Sequence, residues 1–264
     1  MPCPIRGKAA WGRMVETWIF PLLTVVAVLT GFIDAIAGGG GLIMMPTMLW
    51  AGLPPHLALG TNKIQSLAGT STACRNFLRG GQIDWRANLP SVVVVFLGAA
   101  AGSIVVQLIQ PASLQLIVPI LLLAAAAYVI FSPRMTDEDA HQRLTQSGYA
   151  PVAGSIGFYD GFFGPGTGSF FVTSLVGLRG MGLTRATGTT KLLNATSNLG
   201  SLIVFAAGGK VIWLLGLCMA MGAMLGGWLG SHFAMRHGAR LIRPLLIVTS
   251  LALTGRLIWG FIAG

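Results

Sequence analysis

The stretch that decides the fold is residues 188–198, which read GTTKLLNATSN. It places one lysine, Lys191, and two asparagines, Asn194 and Asn198, within a strongly apolar part of the chain. A cation at bilayer depth costs about 3 kcal/mol on insertion scales, so it persists only where a partner, a cavity or an anionic ligand compensates it. The stretch therefore predicts a functional site buried in a bundle of membrane helices.

The composition of the whole chain predicts an all-α integral membrane protein. Of its 264 residues, 54% are hydrophobic and only 9% are charged, whereas a soluble domain carries about 25% charged residues. The net charge is +10, and its basic residues fall largely in short connections and at the N-terminus, which predicts a positive-inside orientation and contact with lipid headgroups. No basic stripe with interleaved aromatic residues is present, so we expect no nucleic-acid partner.

The cysteines and histidines indicate neither a metal nor a cofactor. The three cysteines have no short spacing, which argues against a disulfide framework and against a metal clip. The four histidines show no ligand spacing with a cysteine or a carboxylate cluster. We therefore expect no metal site and no cofactor.

The first half of the sequence recurs in the second half. Residues 31–34 (GFID) return as residues 157–160 (GFYD), an offset of 157 − 31 = 126, and residues 60–63 (GTNK) return as residues 188–191 (GTTK), an offset of 188 − 60 = 128. A basic N-terminus before an apolar run is also typical of a signal peptide, but its recurrence deep in the chain favours a membrane helix. The predicted organisation is a cytoplasmic N-terminal segment (1–16), a first transmembrane repeat (17–131), a polar linker (132–148) and a second transmembrane repeat (149–264).

Each predicted half has four to five membrane segments and a short glycine-rich break. Residues 42–50 form an apolar piece that follows four consecutive glycines, and it is too short to span, because an upright helix needs about 20 apolar residues. A broken or re-entrant segment is the better interpretation. The total is then eight to ten spans, with parallel or inverted halves both open.

Two matching helix faces carry the candidate substrate-binding site. In each half a lysine is followed by polar side chains at i+3 and i+7, so all three lie on one face of a helix. Two such faces that meet would surround a small anion with ammonium groups and neutral donors; alternatively, each lysine snorkels to an interface and the polar side chains hold helices together. The candidate residues are Lys63, Ser66, Thr70, Lys191, Asn194 and Asn198, with Asn62 and Thr190 beside them and Gly40, Gly41, Gly166 and Gly168 in the two glycine-rich breaks.

Asp34 and Asp160 are the acidic residues inside predicted membrane segments. They are interpreted either as counter-ions of the lysines or proton carriers, or as helix caps. An intramembrane aspartyl protease would need the two carboxylates to share a proton. That chemistry leaves the matched lysines without a role, so we expect no enzyme.

Four motifs together resemble the TauE/SafE sulfite exporter family, in the branch of membrane transporters of bacterial inner membranes. They are residues 31–41 (GFIDAIAGGGG), 61–63 (TNK), 157–165 (GFYDGFFGP) and 191–198 (KLLNATSN). The resemblance covers nearly the whole chain and is specific for the family, though not for a substrate.

The resemblance implies a multi-pass protein of the bacterial inner membrane. Its implied function is secondary transport of small sulfur oxyanions or organosulfonates such as sulfite, usually outward, by alternating access. A passive anion channel is the alternative. The expected partners are the lipid bilayer and a small anion, and formation of a homo-oligomer is left open.

Overall fold

The fold is taken from a computed structural model that describes residues 17–130, 138 and 141–237. Within these residues the secondary structure is helical, without a strand. The predicted segment 1–16, residue 131 of the first predicted repeat, residues 132–137 and 139–140 of the predicted linker and residues 238–264 of the second predicted repeat lie outside the described residues. The helices are α1 (Ile19–Ala37), α2 (Gly40–Trp50), α3 (Pro55–Arg79), α4 (Leu89–Leu108), α5 (Pro111–Ile130), α6 (Gln146–Phe162), α7 (Thr167–Arg179), α8 (Leu183–Ala207) and α9 (Trp213–His237).

Three of the described helices, α1, α4 and α9, are long and apolar enough to cross a membrane. Large apolar side chains such as Leu97, Leu108 and Met221 are exposed on α4 and α9, as expected for faces that contact lipid. α3 and α8 have 25 residues each, or about 37 Å of helix. Their buried polar side chains face protein, so composition alone does not identify them as spans, and the total of eight to ten spans stays a prediction.

The helices of the two halves of the chain are interleaved. α1 packs along α9, α4 packs along α6, and α3 and α8 contact each other and link these two pairs. Small residues bring the backbones together, since a Cβ on Gly31 would lie 2.7 Å from the carbonyl oxygen of Ala223, and a Cβ on Gly157 would lie 2.7 Å from that of Val95. The interleaving places α3 and α8, the helices with the lysines, at the centre of the bundle.

The two glycine-rich breaks meet at the same place. α1 ends at Gly38, whose φ is 73°, and α7 begins after Gly166, whose φ is 86°; glycine adopts such values without the steric cost of a Cβ. A Cβ on Gly38 would lie 2.6 Å from the Cα of Gly168, so the breaks are in direct backbone contact. The short helices α2 and α7, of 11 and 13 residues, therefore start side by side. Their re-entrant course in a membrane stays a prediction.

Candidate functional site

A cavity lies where α1, α3, α6 and α8 meet the two glycine-rich breaks, and we call it the central cavity. Its free volume is about 20 Å³, which is room for about one water molecule. The cavity is therefore too small for a polyatomic anion in this conformation. The lining residues are Asp34, Gly38, Gly41, Asn62, Lys63, Ser66, Thr70, Asp160, Gly164, Gly166, Gly168, Asn194 and Asn198.

Lys63 on α3 forms a buried ion pair with Asp160 on α6. Its ammonium lies 3.1 Å from Asp160 Oδ1 and donates a second hydrogen bond, of 2.5 Å, to the Asp160 carbonyl oxygen. The hydroxyl of Ser197 donates to Oδ2. The hydroxyl of Thr167 lies 3.1 Å from Asp160 Oδ1, but its one proton also has the Gly164 carbonyl as an acceptor at 2.6 Å. Asp160 is only 3% exposed, so these side chains surround the carboxylate in place of water.

Lys191 on α8 forms the corresponding ion pair with Asp34 on α1. Its ammonium lies 3.3 Å from Asp34 Oδ2 and also donates to the Asp34 carbonyl oxygen. Lys191 is fully buried, whereas the Asp34 side chain is 20% exposed. In the described part of the chain no other side chain or N–H group donates to the Asp34 carboxylate.

The two ion pairs cross between the halves of the chain. Each lysine pairs with the carboxylate of the other half, so neither half compensates its own lysine. Both lysines are at most 1% exposed, which excludes snorkelling to an interface in this structure. The four side chains carry a formal charge of +2 − 2 = 0, and burial of such a group is tolerable only because each charge has its partner.

The structure brings most of the predicted binding residues together. Asn62, Ser66 and Asn194 line the central cavity with Lys63, Thr70 and Asn198, and the breaks contribute Gly41, Gly166 and Gly168. Gly40 lines a neighbouring pocket instead. Thr190 is fully buried and does not line the central cavity, and its hydroxyl has no partner among the described residues.

Some of these polar groups are already bonded to their own helix. The Thr70 hydroxyl donates to the Ser66 carbonyl at 2.6 Å, and the Asn198 amide donates to the Asn194 carbonyl at 2.7 Å. The Thr70 hydroxyl must rotate before it can donate to a ligand, whereas the Asn198 amide keeps a second N–H group.

The carboxylates do not form a protease dyad. Asp34 and Asp160 are each paired with a separate lysine, and an aspartyl protease instead requires two carboxylates that share one proton. Neither carboxylate accepts a backbone N–H among the described residues, so the helix-cap interpretation has no contact to support it there. No group of three or more potential metal ligands occurs in the described part of the chain.

Comparison with known proteins bears on the family directly. Residues 23–257 match the family model described as Sulfite exporter TauE/SafE. The chain belongs to this family. The resemblance given by the four motifs is thereby confirmed.

Curated relatives of this TauE/SafE protein are named as membrane transporters. The chain is 44% identical to "Probable membrane transporter protein ORF9" of Sinorhizobium sp. over 91% of its length and 92% of the relative. It is 40% identical to "Probable membrane transporter protein YfcA" of Escherichia coli K12, over 93% and 92% of the two chains. No solved structure matches the chain.

Sequence reasoning missed two side chains of this TauE/SafE site, Thr167 and Ser197. Serine and threonine in helices often bond to their own backbone, so their presence alone carries little information. A usable signal existed for Ser197, because it lies three residues after Asn194 and so on the same helix face. Thr167 follows the second glycine-rich break by one residue, where no helical spacing to a lysine applies.

Proposed function

We propose that this TauE/SafE protein is a secondary transporter that exports small sulfur oxyanions or organosulfonates across the bacterial inner membrane. The observation that carries the proposal is the crossed pair of ion pairs, Lys63–Asp160 and Lys191–Asp34, beside one small cavity. A buried lysine held only by another part of the same bundle can exchange that partner for an anionic ligand, whereas a lysine in a purely structural role needs no cavity.

The chemistry of the wall suits an oxyanion. An ammonium group is a compact charge with three donors, and amides and hydroxyls add neutral donors around it. Asn62, Ser66 and Asn194 supply such groups beside Lys63. The first turns of α2 and α7 also contribute Gly41 and Gly168 to the wall, and the N-terminus of a helix favours negative charge.

The small volume of the cavity supports alternating access over a permanently open pore. Its free volume of about 20 Å³ is too small for a sulfur atom with three oxygens, since about one water molecule would fill it. The bundle must therefore open before the ligand enters. We assign this opening to movement of two homologous, multi-pass halves around a fixed site, as in other transporters built from repeats.

The test is sulfite efflux from loaded proteoliposomes. We expect saturable efflux from the wild type and a loss of about tenfold or more in Lys191→Ala and in Lys63→Ala, because one charge-assisted hydrogen bond contributes about 1.5–3 kcal/mol. Lys210→Ala is the matched control, since Lys210 is exposed in the turn after α8, and its efflux should equal that of the wild type.

Three outcomes would contradict parts of the proposal. Undiminished efflux in both site variants would contradict the proposed binding site, and absence of flux for every sulfur anion would contradict the proposed substrate class. A steady, non-saturating current would favour a passive anion channel over a transporter.

A further inference from the structure

The two carboxylates of the site have different surroundings. Asp160 accepts hydrogen bonds from the side chains of Lys63 and Ser197, and the Thr167 hydroxyl lies 3.1 Å from its Oδ1. Asp34 accepts only from Lys191 in the described part of the chain, and its side chain is five times as exposed, at 20% against 4%. At the position of Ser197 the first half has Gly69 (197 − 128), which offers no hydroxyl.

A second small cavity reaches Asp34 from the side of α1, α3 and α9, and we call it the Asp34 pocket. Its polar walls are Thr30, Gln65, Ser66 and Thr70, and its free volume is about 20 Å³. The Nε2 of Gln65 donates to the Thr30 hydroxyl at 3.3 Å. Its Oε1 is buried without a partner among the described residues, and Gln65 is 5% exposed. A buried acceptor without a donor calls for an explanation, and water or a proton donor in this pocket supplies one.

Three residues of the Asp34 pocket have apolar counterparts in the other half of the sequence. Thr30, Gln65 and Ala223 correspond to Ile156 (30 + 126), Leu193 (65 + 128) and Val95 (223 − 128). Val95 and Leu193 are fully buried in one hydrophobic cluster, and Ile156 packs against it. Asp34 therefore borders a pocket with polar walls, whereas the other half has apolar side chains at the three matching positions.

From these differences we infer that Asp34 takes up one proton when the anion binds, and so couples proton movement to transport, whereas Asp160 stays ionised. The inference rests on the proposed function and adds its coupling. Protonation of Asp34 changes the site's charge from +2 − 2 to +2 − 1, and one monovalent anion then restores neutrality. The proton ends on an Asp34 carboxyl oxygen, and the Lys191 ammonium released from that carboxylate becomes the donor to the anion.

The charges around Asp34 favour a proton over a metal cation. The Lys191 ammonium lies 3.3 Å from Asp34 Oδ2, and it would repel a sodium ion bound to the same carboxylate. Lys63 and Asp160 are the other charged groups that line the two cavities, and the Cys74 thiol of α3 lies within electrostatic reach of Lys191. The described parts of α2, α7 and α9 contribute only glycine and alanine to these walls.

The test is the pH dependence of anion binding, measured as protection of the purified protein against thermal unfolding. Methanesulfonate is the first probe because its charge does not change with pH, and sulfite is measured in parallel. Where the carboxyl of Asp34 is ionised in the ligand-free protein, uptake of one proton makes the half-saturating concentration of methanesulfonate rise about tenfold per pH unit.

Two substitutions distinguish the carboxylates. Asp34→Asn is neutral at every pH, so its half-saturating concentration should be independent of pH, while Asp160→Asn should keep the slope of the wild type. If Asp160→Asn does not fold, Ser197→Ala perturbs Asp160 less and should also keep the slope. In proteoliposomes, methanesulfonate efflux should carry protons out of the wild type, as reported by an internal pH dye, and Gln65→Leu, which copies Leu193, should slow that proton movement.

The outcomes separate this inference from the proposed function. Absence of protection by both anions in the wild type would overturn the proposed function. Protection whose pH slope is the same in the wild type and in Asp34→Asn, or is lost only in Asp160→Asn, would overturn the inference alone. Dependence on sodium chloride relative to choline chloride, with no pH slope, would also overturn it.

Discussion

α3 and α8 share their length and the position of their lysine, but they differ in the polar side chains on the same face. Each has 25 residues, and its lysine is the ninth of them (63 − 54 and 191 − 182). α3 then presents the hydroxyls of Ser66 and Thr70, where α8 presents the amides of Asn194 and Asn198. The buried lysine sets the position of the site, while the side chains around it are free to differ between the halves.

The ion pairs made by the two lysines also differ in the surroundings of their carboxylates. The carboxylate opposite α3 is surrounded by donors, and the carboxylate opposite α8 borders a polar pocket. We expect the Lys63–Asp160 pair to hold the geometry of the site while the Lys191–Asp34 pair separates and re-forms as the ligand is exchanged. Four changes test this comparison, and they follow in order of expected effect.

The largest effect is expected from the loss of either lysine's charge. Lys63→Met leaves Asp160 buried without a counter-ion, which costs about 3–5 kcal/mol of the free energy of unfolding. Lys191→Met should cost clearly less, because the Asp34 side chain is partly exposed. Denaturant unfolding in detergent micelles measures both. The double variant Lys63→Met with Asp160→Asn should recover most of the loss, and equal costs for the two lysines would remove the asymmetry.

The contact between the glycine-rich breaks should be the next most sensitive feature. Gly52→Ala introduces only backbone strain, since Gly52 has φ 83° and no atom within 4 Å of an added Cβ; this costs about 1–2 kcal/mol. Gly168→Ala introduces only overlap with Gly38, at about 1–3 kcal/mol. Gly38→Ala introduces both backbone strain and overlap with Gly168. Its loss of thermal stability should therefore approach the sum of the losses of Gly52→Ala and Gly168→Ala. A loss no larger than that of Gly52→Ala would contradict the backbone contact between Gly38 and Gly168.

Removal of one donor to the Asp160 carboxylate should have a moderate effect. Ser197→Ala deprives Asp160 of a hydrogen bond, and bonds to charged groups contribute about 1.5–3 kcal/mol. Ser155→Ala is the control, because Ser155 is exposed and donates only to the Pro151 carbonyl; it should stay within about 0.5 kcal/mol of the wild type. Chemical unfolding of both variants decides whether the hydroxyl stabilises the pair.

The smallest effect is expected from substitutions of the polar side chains that follow each lysine on its helix face. Asn194→Ser gives α8 the side chain of α3 and should raise the half-saturating concentration of sulfite about fivefold, equivalent to about 1 kcal/mol for one neutral hydrogen bond. Ser66→Ala should change it less, if the second half makes the more specific contacts. Efflux measured over a range of internal sulfite concentrations compares the two, and a larger effect of Ser66→Ala would reverse the assignment.

Helical spacing anticipated part of the central cavity. Lys63, Ser66 and Thr70 line it together with Asn194 and Asn198, because residues at i, i+3 and i+7 share one helix face. Lys191 does not line the cavity and instead contacts Asp34 at its wall. The role of these residues in binding stays a prediction. Membership of the family was predicted from the motifs and is confirmed.

The pairing across the halves could not be predicted from the sequence. Lys63 could pair with Asp34 of its own half or with Asp160, and sequence separation favours the nearer one. The choice depends on how α8 contacts both α3 and α6, which is a tertiary arrangement. The Asp34 pocket could not be predicted from the sequence either. It lies where the small residues Gly69 and Ala223 meet Gln65, and no spacing of residues along one helix indicates that contact.

The crossed ion pairs also impose an order on synthesis. Lys63 leaves the ribosome 97 residues before Asp160, so at about 5–20 residues per second it exists without its counter-ion for about 5–20 s. Asp34 precedes Lys191 by 157 residues, and its interval is longer in proportion. In each newly inserted first half Lys63 and Asp34 therefore lack their final partners, and the two crossed pairs are complete only once α8 has been made.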